Sequence, residues 1–145
     1  MARYTITVVG LGKVGLPLAC HLASLGHRVQ GFDVNHQIIA QLSEGRSPLP
    51  WEPGIDPGAI TVCRTLEEAL LQTEMILICV PTPKVGNKLS GDLVKEAVTQ
   101  VHSSWPNSDR AVPLIVIAST LDPREAADIC GPGVVYNPPL IRLGY

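Results

Sequence analysis

Tyr4-Thr-Ile-Thr-Val-Val9 runs directly into Gly10-Leu-Gly-Lys-Val-Gly15 and then into Leu16-Pro-Leu-Ala-Cys20. A short apolar run rich in β-branched residues is thus followed by three glycines spaced GxGxxG, and then by apolar residues over a helical length. The spacing alone is a weak signal, but at the junction of a strand and a helix it marks a dinucleotide-binding turn. Each glycine has its own reason to be there. Gly10 permits the tight turn, Gly12 lets the backbone approach a pyrophosphate, and Gly15 lets the helix pack closely on the strand. The N–H groups and positive end of that helix then face the phosphates.

Outward from this turn, apolar runs of strand length alternate with helix-length segments, the pattern of crossover units and a parallel sheet. Strand one covers Tyr4 to Val9, followed by a helix from Val14 to Leu25 that Gly26 ends as a C′ residue. Arg28 to Phe32 is strand two, and Asn35 caps a helix running to about Ser43. Pro48, Pro50, Pro53, Gly54, Pro57 and Gly58 force a loop. Ile60 to Cys63 is a short strand three, and Thr65-Leu-Glu-Glu68 spells a capping box. Met75 to Val80, unbroken and apolar, reads as a strand buried on both faces. Pro81 to Gly91 is expected to be a loop, Asp92 to cap a helix running towards His102, and Ala111 to Ala118 to form strand five. Asp122, Pro123 and Glu125 supply N-cap, N1 and N3 of another short helix, before a sixth strand at Val134 to Tyr136. The expected fold is a doubly wound α/β Rossmann domain, with a mainly parallel sheet of about six strands in the order 3-2-1-4-5-6. No repeat, low-complexity tract or composition shift marks a second domain, so residues 1–145 read as one.

Asp33 ends strand two, 18 residues beyond Gly15, where an acidic side chain accepts hydrogen bonds from the adenosine ribose hydroxyls. Its alternative role is a turn or helix-capping aspartate. Val34, Asn35 and His36 follow without a cation to neutralise a 2′-phosphate, which Asp33 would repel. The expected cofactor is therefore NAD rather than NADP.

Composition narrows the remaining classes. The chain has 11 Lys and Arg against 13 Asp and Glu, with 46% hydrophobic residues, as in an ordinary globular domain. No basic run or basic-aromatic patch is present to follow a nucleic-acid backbone. The apolar runs fall well short of the roughly 20 residues that span a bilayer. Cys20, Cys63, Cys79 and Cys130 are scattered without a CxxC pair and read as reduced thiols of a cytoplasmic protein. His21, His27, His36 and His102 lack metal-ligand spacing, so no metal is expected.

Gly10-Leu-Gly-Lys-Val-Gly-Leu-Pro-Leu-Ala19, Glu52-Pro-Gly-Ile55, Ile78-Cys-Val-Pro-Thr-Pro83, Ser119-Thr120 and Tyr136-Asn-Pro138 together resemble the NAD-binding domain of the UDP-glucose/GDP-mannose dehydrogenase family. The likeness spans nearly the whole chain and is far more specific than GxGxxG. It implies cofactor contacts from Val14, Asp33, Thr82 and Thr120. With the glycine turn, the expected cofactor-binding set is Gly10, Leu11, Gly12, Lys13, Val14, Gly15, Asp33, Pro81, Thr82 and Thr120. Thr82 and Thr120 have the alternative of satisfying nearby backbone groups, and Lys13 that of a solvated helix-start residue. Lys84 and Lys88 read as solvated loop charges, and Glu52 has no assigned role.

The chain also departs from the family pattern. Where the family reads YNPEFLREG, this chain has Tyr136-Asn-Pro-Pro-Leu-Ile-Arg-Leu-Gly144, so Pro139 and Leu143 replace two glutamates associated with catalysis and cofactor. It reaches Tyr145 before the family's connecting helix and its second domain, which carries the nucleotide-sugar site, the catalytic cysteine and a lysine. Members of the family oxidise the C6 hydroxyl of a nucleotide-sugar through a cysteine-bound intermediate. The resemblance therefore implies the cofactor half of such an enzyme, inactive alone and without catalytic residues of its own. It would work with a partner chain carrying the substrate site, or as a homo-oligomer. The alternatives are a non-catalytic NAD-binding or regulatory module and a relic fold that uses the old pocket edge for protein contact. Asp33 weighs against the last.

Overall fold

The computed structural model describes residues 2–49, 54–106 and 109–139. Among these residues, eight strands and five α-helices follow one another in chain order: β1 (Thr5–Val9), α1 (Gly15–Ser24), β2 (Arg28–Phe32), α2 (His36–Ser43), β3 (Thr61–Val62), α3 (Leu66–Leu70), β4 (Met75–Ile78), β5 (Lys84–Val85), β6 (Lys88–Leu89), α4 (Asp92–Ser103), β7 (Leu114–Ile117), α5 (Pro123–Ile129) and β8 (Val134–Tyr136). A 3-10 turn at Pro57–Ala59 precedes β3. Six strands form one parallel sheet in the order β3-β2-β1-β4-β7-β8, and β5 and β6 form a separate two-stranded sheet. Leaving that hairpin aside, the order is the expected 3-2-1-4-5-6, a Rossmann fold.

Successive side chains of a strand point to opposite faces, which divides the core in two. Along β4 and just beyond it, Leu77 and Cys79 pack with Leu16, Ala19, Ile39 and Leu42 of α1 and α2. Ile76 and Ile78 face the other way, onto Leu66, Leu70, Val94, Val101 and Ala126 of α3, α4 and α5. A strand covered on both faces has no polar side to show, hence the unbroken apolar run. Among the described residues, two buried strand side chains are polar: Gln30 of β2, and Thr7 of β1, whose hydroxyl bonds the Ala69 carbonyl and the Thr73 hydroxyl, each at 2.5 Å.

Strand register sets up the functional edge. Val9 pairs with Phe32 on one side and Ile78 on the other, Ile78 with Ile117, and Ile117 with Tyr136. The strands therefore end in one row, and Gly10, Asp33, Cys79 and Ala118 come next on the same edge. β1 and β4 flank the point where the winding reverses, because β2 departs to one side and β7 lies on the other.

Local signals were mostly realised as expected. The Asn35 side chain accepts from the N–H of Gln37, Thr65 from Glu68 and Asp122 from Arg124. Gly26 takes φ +91° after α1. Several boundaries differ. β7 begins at Leu114 rather than Ala111, after Pro113, which has no N–H to give a ladder. The segment Pro81 to Gly91 is not all loop, since Lys84 pairs with Leu89 and Val85 with Lys88 around Gly86-Asn87. Gly86 has φ +61°, as a type II′ turn requires at its first central residue. Asp92 is the first residue of α4 rather than its cap, which is Gly91. Glu125 does not close a capping box on Asp122 either; its carboxylate accepts from the Gly91 N–H at 3.3 Å, tying the start of α5 to the start of α4.

The outer side of β8 is folded shut along part of its length. After α5 the chain turns back at Gly131, whose N–H donates to the Val134 carbonyl at 3.2 Å and whose carbonyl accepts from the Val134 N–H at 2.9 Å. At the opposite end of the sheet β3 is only two residues long.

Candidate cofactor site

A cleft of about 550 Å³ opens at the carboxyl ends of β1, β2, β4 and β7. It is lined by Gly10, Gly12, Lys13 and Val14 from the first turn, and by Asp33, Val34, Asn35 and Ile38 from the end of β2 and the start of α2. Cys79, Val80, Pro81 and Thr82 line it after β4, Leu93 from α4, Ala118, Ser119 and Thr120 after β7, and Pro139 beyond β8. Eight of the ten residues singled out from the sequence thus line one cavity, drawn together from four segments of the chain.

The other two, Leu11 and Gly15, do not line it. Leu11 is fully buried, and its methyl groups pack so close to Gly31 that a Cβ there would lie 3.0 Å from both. What Leu11 brings to the site is its N–H, which donates to Asp33 Oδ2 at 2.8 Å. Gly15 lies beneath the turn, where a Cβ would come within 1.7 Å of the Gly10 carbonyl oxygen. Gly10 has φ +95°, and a Cβ on it would meet the Cys79 carbonyl at 2.5 Å. These two glycines are needed by the fold itself.

Gly12 is different. A Cβ built on Gly12 meets nothing within 4 Å, because it points into the open cleft. Packing places no demand on a glycine there, whereas a ligand whose phosphates lie against the backbone does. Asp33 lies at the neighbouring strand end, half-buried, with Oδ1 accepting from the Asn35 N–H at 2.8 Å. Its two structural bonds leave the carboxylate further acceptor capacity, since each oxygen has two lone pairs. The sequence alternatives of turn aspartate and ribose ligand are therefore compatible in one side chain. Ser119 is buried and spends its hydroxyl on the Val80 carbonyl at 2.7 Å, bracing the ends of β4 and β7 against each other. The donor set, the open face at Gly12 and the anion-favouring helix start fit a dinucleotide.

Val34, Ile38 and Leu93 were not legible as site residues. They are apolar, and only the fold brings Leu93 to the same cleft as Val34 and Ile38; Val34 is 72% exposed. Arg64 was also missed. It lies after β3 and lines an adjoining cavity with Val34 and His36 rather than the cleft itself. Burial pushes the thiol of Cys79, the one cysteine lining the cleft, up to about 12. Desolvation likewise raises Cys63, to about 11, and Cys20. Glu52 and Leu143 lie outside the described residues.

Residues 4–137 match the model of the UDP-glucose/GDP-mannose dehydrogenase family, NAD binding domain. The chain belongs to this family. The UDP-glucose 6-dehydrogenase of Haloferax volcanii is 29% identical over 136 residues, covering 89% of this chain and 31% of the relative. The GDP-mannose 6-dehydrogenase of Azotobacter vinelandii is 31% identical over 141 residues, covering 91% of this chain and 30% of the relative. The crystal structure of a ternary complex of GDP-mannose dehydrogenase from Pseudomonas aeruginosa superposes with a TM-score of 0.83 at 26% identity, covering 94% of this chain and 36% of that one. The chain spans about a third of the length of the relatives it matches. It is similar to their NAD-binding domain, and NAD is the cofactor of that domain. No described helix is long and apolar enough to cross a membrane.

Proposed function

We propose that the chain is the cofactor half of a nucleotide-sugar 6-dehydrogenase, that it binds NAD in preference to NADP through the cleft described above, and that it does not catalyse the oxidation by itself. The observation that carries the cofactor assignment is Gly12, a glycine that only a ligand requires, beside the Asp33 carboxylate. Gly10, Gly12, Lys13 and Val14 form the pyrophosphate cradle, with Leu11 and Gly15 shaping it from beneath. Asp33 accepts the ribose hydroxyls, and Val34, Ile38 and Leu93 supply apolar walls for the adenine. Pro81, Thr82 and Thr120 border the remaining end. NAD, when bound, supplies a hydride acceptor there.

The limits on chemistry follow from the thiols. A thioester-type oxidation needs an accessible thiolate. Cys20, Cys63 and Cys79 are buried with raised pKa, and Cys130 is half-buried at the end of α5. The nucleotide-sugar site and its cysteine are therefore assigned to a partner segment or chain, with a homo-oligomer as the other assembly open to it. We assign no role at a nucleic acid or a membrane. The four free cysteines suit a reducing compartment, and we place the chain in the cytoplasm.

Calorimetric titration with NAD and NADP tests the reading. Hydrogen bonds to a charged group contribute about 1.5–3 kcal/mol, so Asp33→Ala should weaken NAD roughly ten- to hundredfold. NADP should bind the unmutated chain much more weakly than NAD, because Asp33 repels a 2′-phosphate; Arg64 and His36 lie in the neighbouring cavity. Equal affinity for the two would show that Asp33 does not face the ribose.

A further inference from the structure

Between β7 and α5 the chain runs along the cleft wall as Ala118-Ser119-Thr120 and turns inward at Leu121. It is held from both sides. Towards β4, the Ala118 N–H donates to the Ile78 carbonyl at 2.8 Å and the Ser119 hydroxyl to the Val80 carbonyl at 2.7 Å. Towards β8, one phenol takes both peptide groups of Leu121: Tyr136 Oη accepts from the Leu121 N–H at 3.0 Å and donates to the Leu121 carbonyl at 3.3 Å. Leu121 is buried and belongs to neither β7 nor α5, so its N–H and C=O need partners from outside both elements. A hydroxyl can serve the two together because it carries a donor and acceptor lone pairs. Register fixes Tyr136 in turn, since it pairs with Ile117 and the next N–H, of Asn137, donates to the Ile117 carbonyl at 3.0 Å. Thr120 stands between the two braces. It is exposed and lines the cleft, and its hydroxyl makes no hydrogen bond to the described residues.

We propose that Tyr136 is a positioning residue for the cofactor: by clamping Leu121 it holds the Thr120 hydroxyl at the cleft wall, where the nicotinamide half of the dinucleotide meets it. This rests on the cofactor reading above. Tyr136 does not itself line the cleft, so its effect on the ligand passes through the turn that carries Thr120. That effect is confined to one half of the ligand. β2, which leads to Asp33, and β7 lie three strand positions apart in the sheet, roughly 14 Å at about 4.8 Å per strand. An ADP-ribose moiety held at Asp33 and the glycine turn therefore lies clear of Thr120.

Titration of the full chain with NADH and with ADP-ribose tests this. Tyr136→Phe keeps the ring and removes the clamp, and should weaken NADH about three- to tenfold, the range of a single hydrogen bond, while leaving ADP-ribose within about twofold. Thr120→Val should weaken NADH similarly, and adding Tyr136→Phe to it should bring no further loss, because the two act through one contact. Thr73→Val removes a buried hydroxyl bonded to Thr7 near the amino end of β4, away from the cleft, and so controls for lost stability; it should leave the NADH to ADP-ribose ratio unchanged. Amide exchange in the unmutated chain requires no variant to fold: NADH should slow exchange at Leu121 more than ADP-ribose does. Equal weakening of both ligands by Tyr136→Phe, no weakening of NADH, a further loss in the double variant, the same change of ratio in Thr73→Val, or equal protection of Leu121 by the two ligands would overturn the proposal. ADP-ribose also separates the two levels. If it binds and these effects are missing, only this proposal falls; if neither ADP-ribose nor NADH binds, the cofactor reading falls with it.

Discussion

Three glycines in six residues have three different neighbours, and the differences make opposite predictions for similar substitutions. Gly12→Val places its side chain in open cleft, so the protein should keep its melting temperature within a few degrees while losing NADH binding, read from the fluorescence of the bound dihydronicotinamide. Gly15→Ala puts a methyl group where the Gly10 carbonyl already is, so the turn or α1 must shift, and stability should fall by several kcal/mol before any ligand is considered. If Gly12→Val bound NADH normally, or if it unfolded the chain as Gly15→Ala does, the assignment of Gly12 to the ligand would be lost. The spacing of these glycines was readable from the sequence, but their division of labour was not. It depends on which atoms lie opposite each Cβ, and those come from the ends of β1 and β4, some seventy positions apart. Asp33 shows the same limit, since its acidity and place after β2 were legible and its bonds to the Leu11 and Asn35 N–H groups were not.

At the level of elements, the starts of α4 and α5 are held together by one carboxylate. Glu125 Oε1 accepts from the Gly91 N–H, and Lys95 Nζ stands 3.8 Å from the same oxygen. Oε2 is buried without a partner among the described residues. Lys95 is 47% exposed, and an ion pair of that kind contributes ~1 kcal/mol or less. Gly91 is a buried residue, and leaving a buried donor unpaired costs about 1–3 kcal/mol. Glu125→Ala should therefore destabilise by about 1–3 kcal/mol in urea unfolding, and Lys95→Ala by less than about 1 kcal/mol. Similar effects from the two would place the stabilisation in the ion pair. This tie joins an element bearing Leu93 to the one that follows Thr120, which gives it a bearing on both lips of the cleft. The sequence pointed to Glu125 as an N3 residue, but a capping signal is local and cannot compete with a better donor arriving from α4. The β5–β6 hairpin, by contrast, had a readable sign in Gly86-Asn87 that the surrounding prolines obscured.

For the whole molecule, the sheet order and the burial of the Met75 strand on both faces could be read in advance because apolar runs of four to six residues leave few ways to pair. The apolar lining of the cleft could not, because Val80, Ala118 and Leu93 look like any other core or surface residue until the strands are aligned. On the reading proposed above, this arrangement binds the cofactor and leaves the chemistry to another segment or chain. Purified chain mixed with NAD and UDP-glucose or GDP-mannose should form no NADH, and Pro139→Glu with Leu143→Glu should not change that. Adding a candidate substrate domain is the complementary arm of the assay. Substrate-dependent NADH formation by the chain alone, abolished in Cys130→Ser, would show that the chemistry is already present.

The turn-back at Gly131 has a consequence for how copies of this chain meet in solution. An open parallel sheet has two rims, and each presents unpaired backbone groups on which another chain can nucleate a strand. Here the N–H and carbonyl of Val134 are already taken by Gly131, and the far rim at β3 is two residues long. A template needs several consecutive free groups in register, and among the described residues neither rim offers them. Such rims give a second copy little on which to add a strand, which favours a sheet that ends at its own six strands.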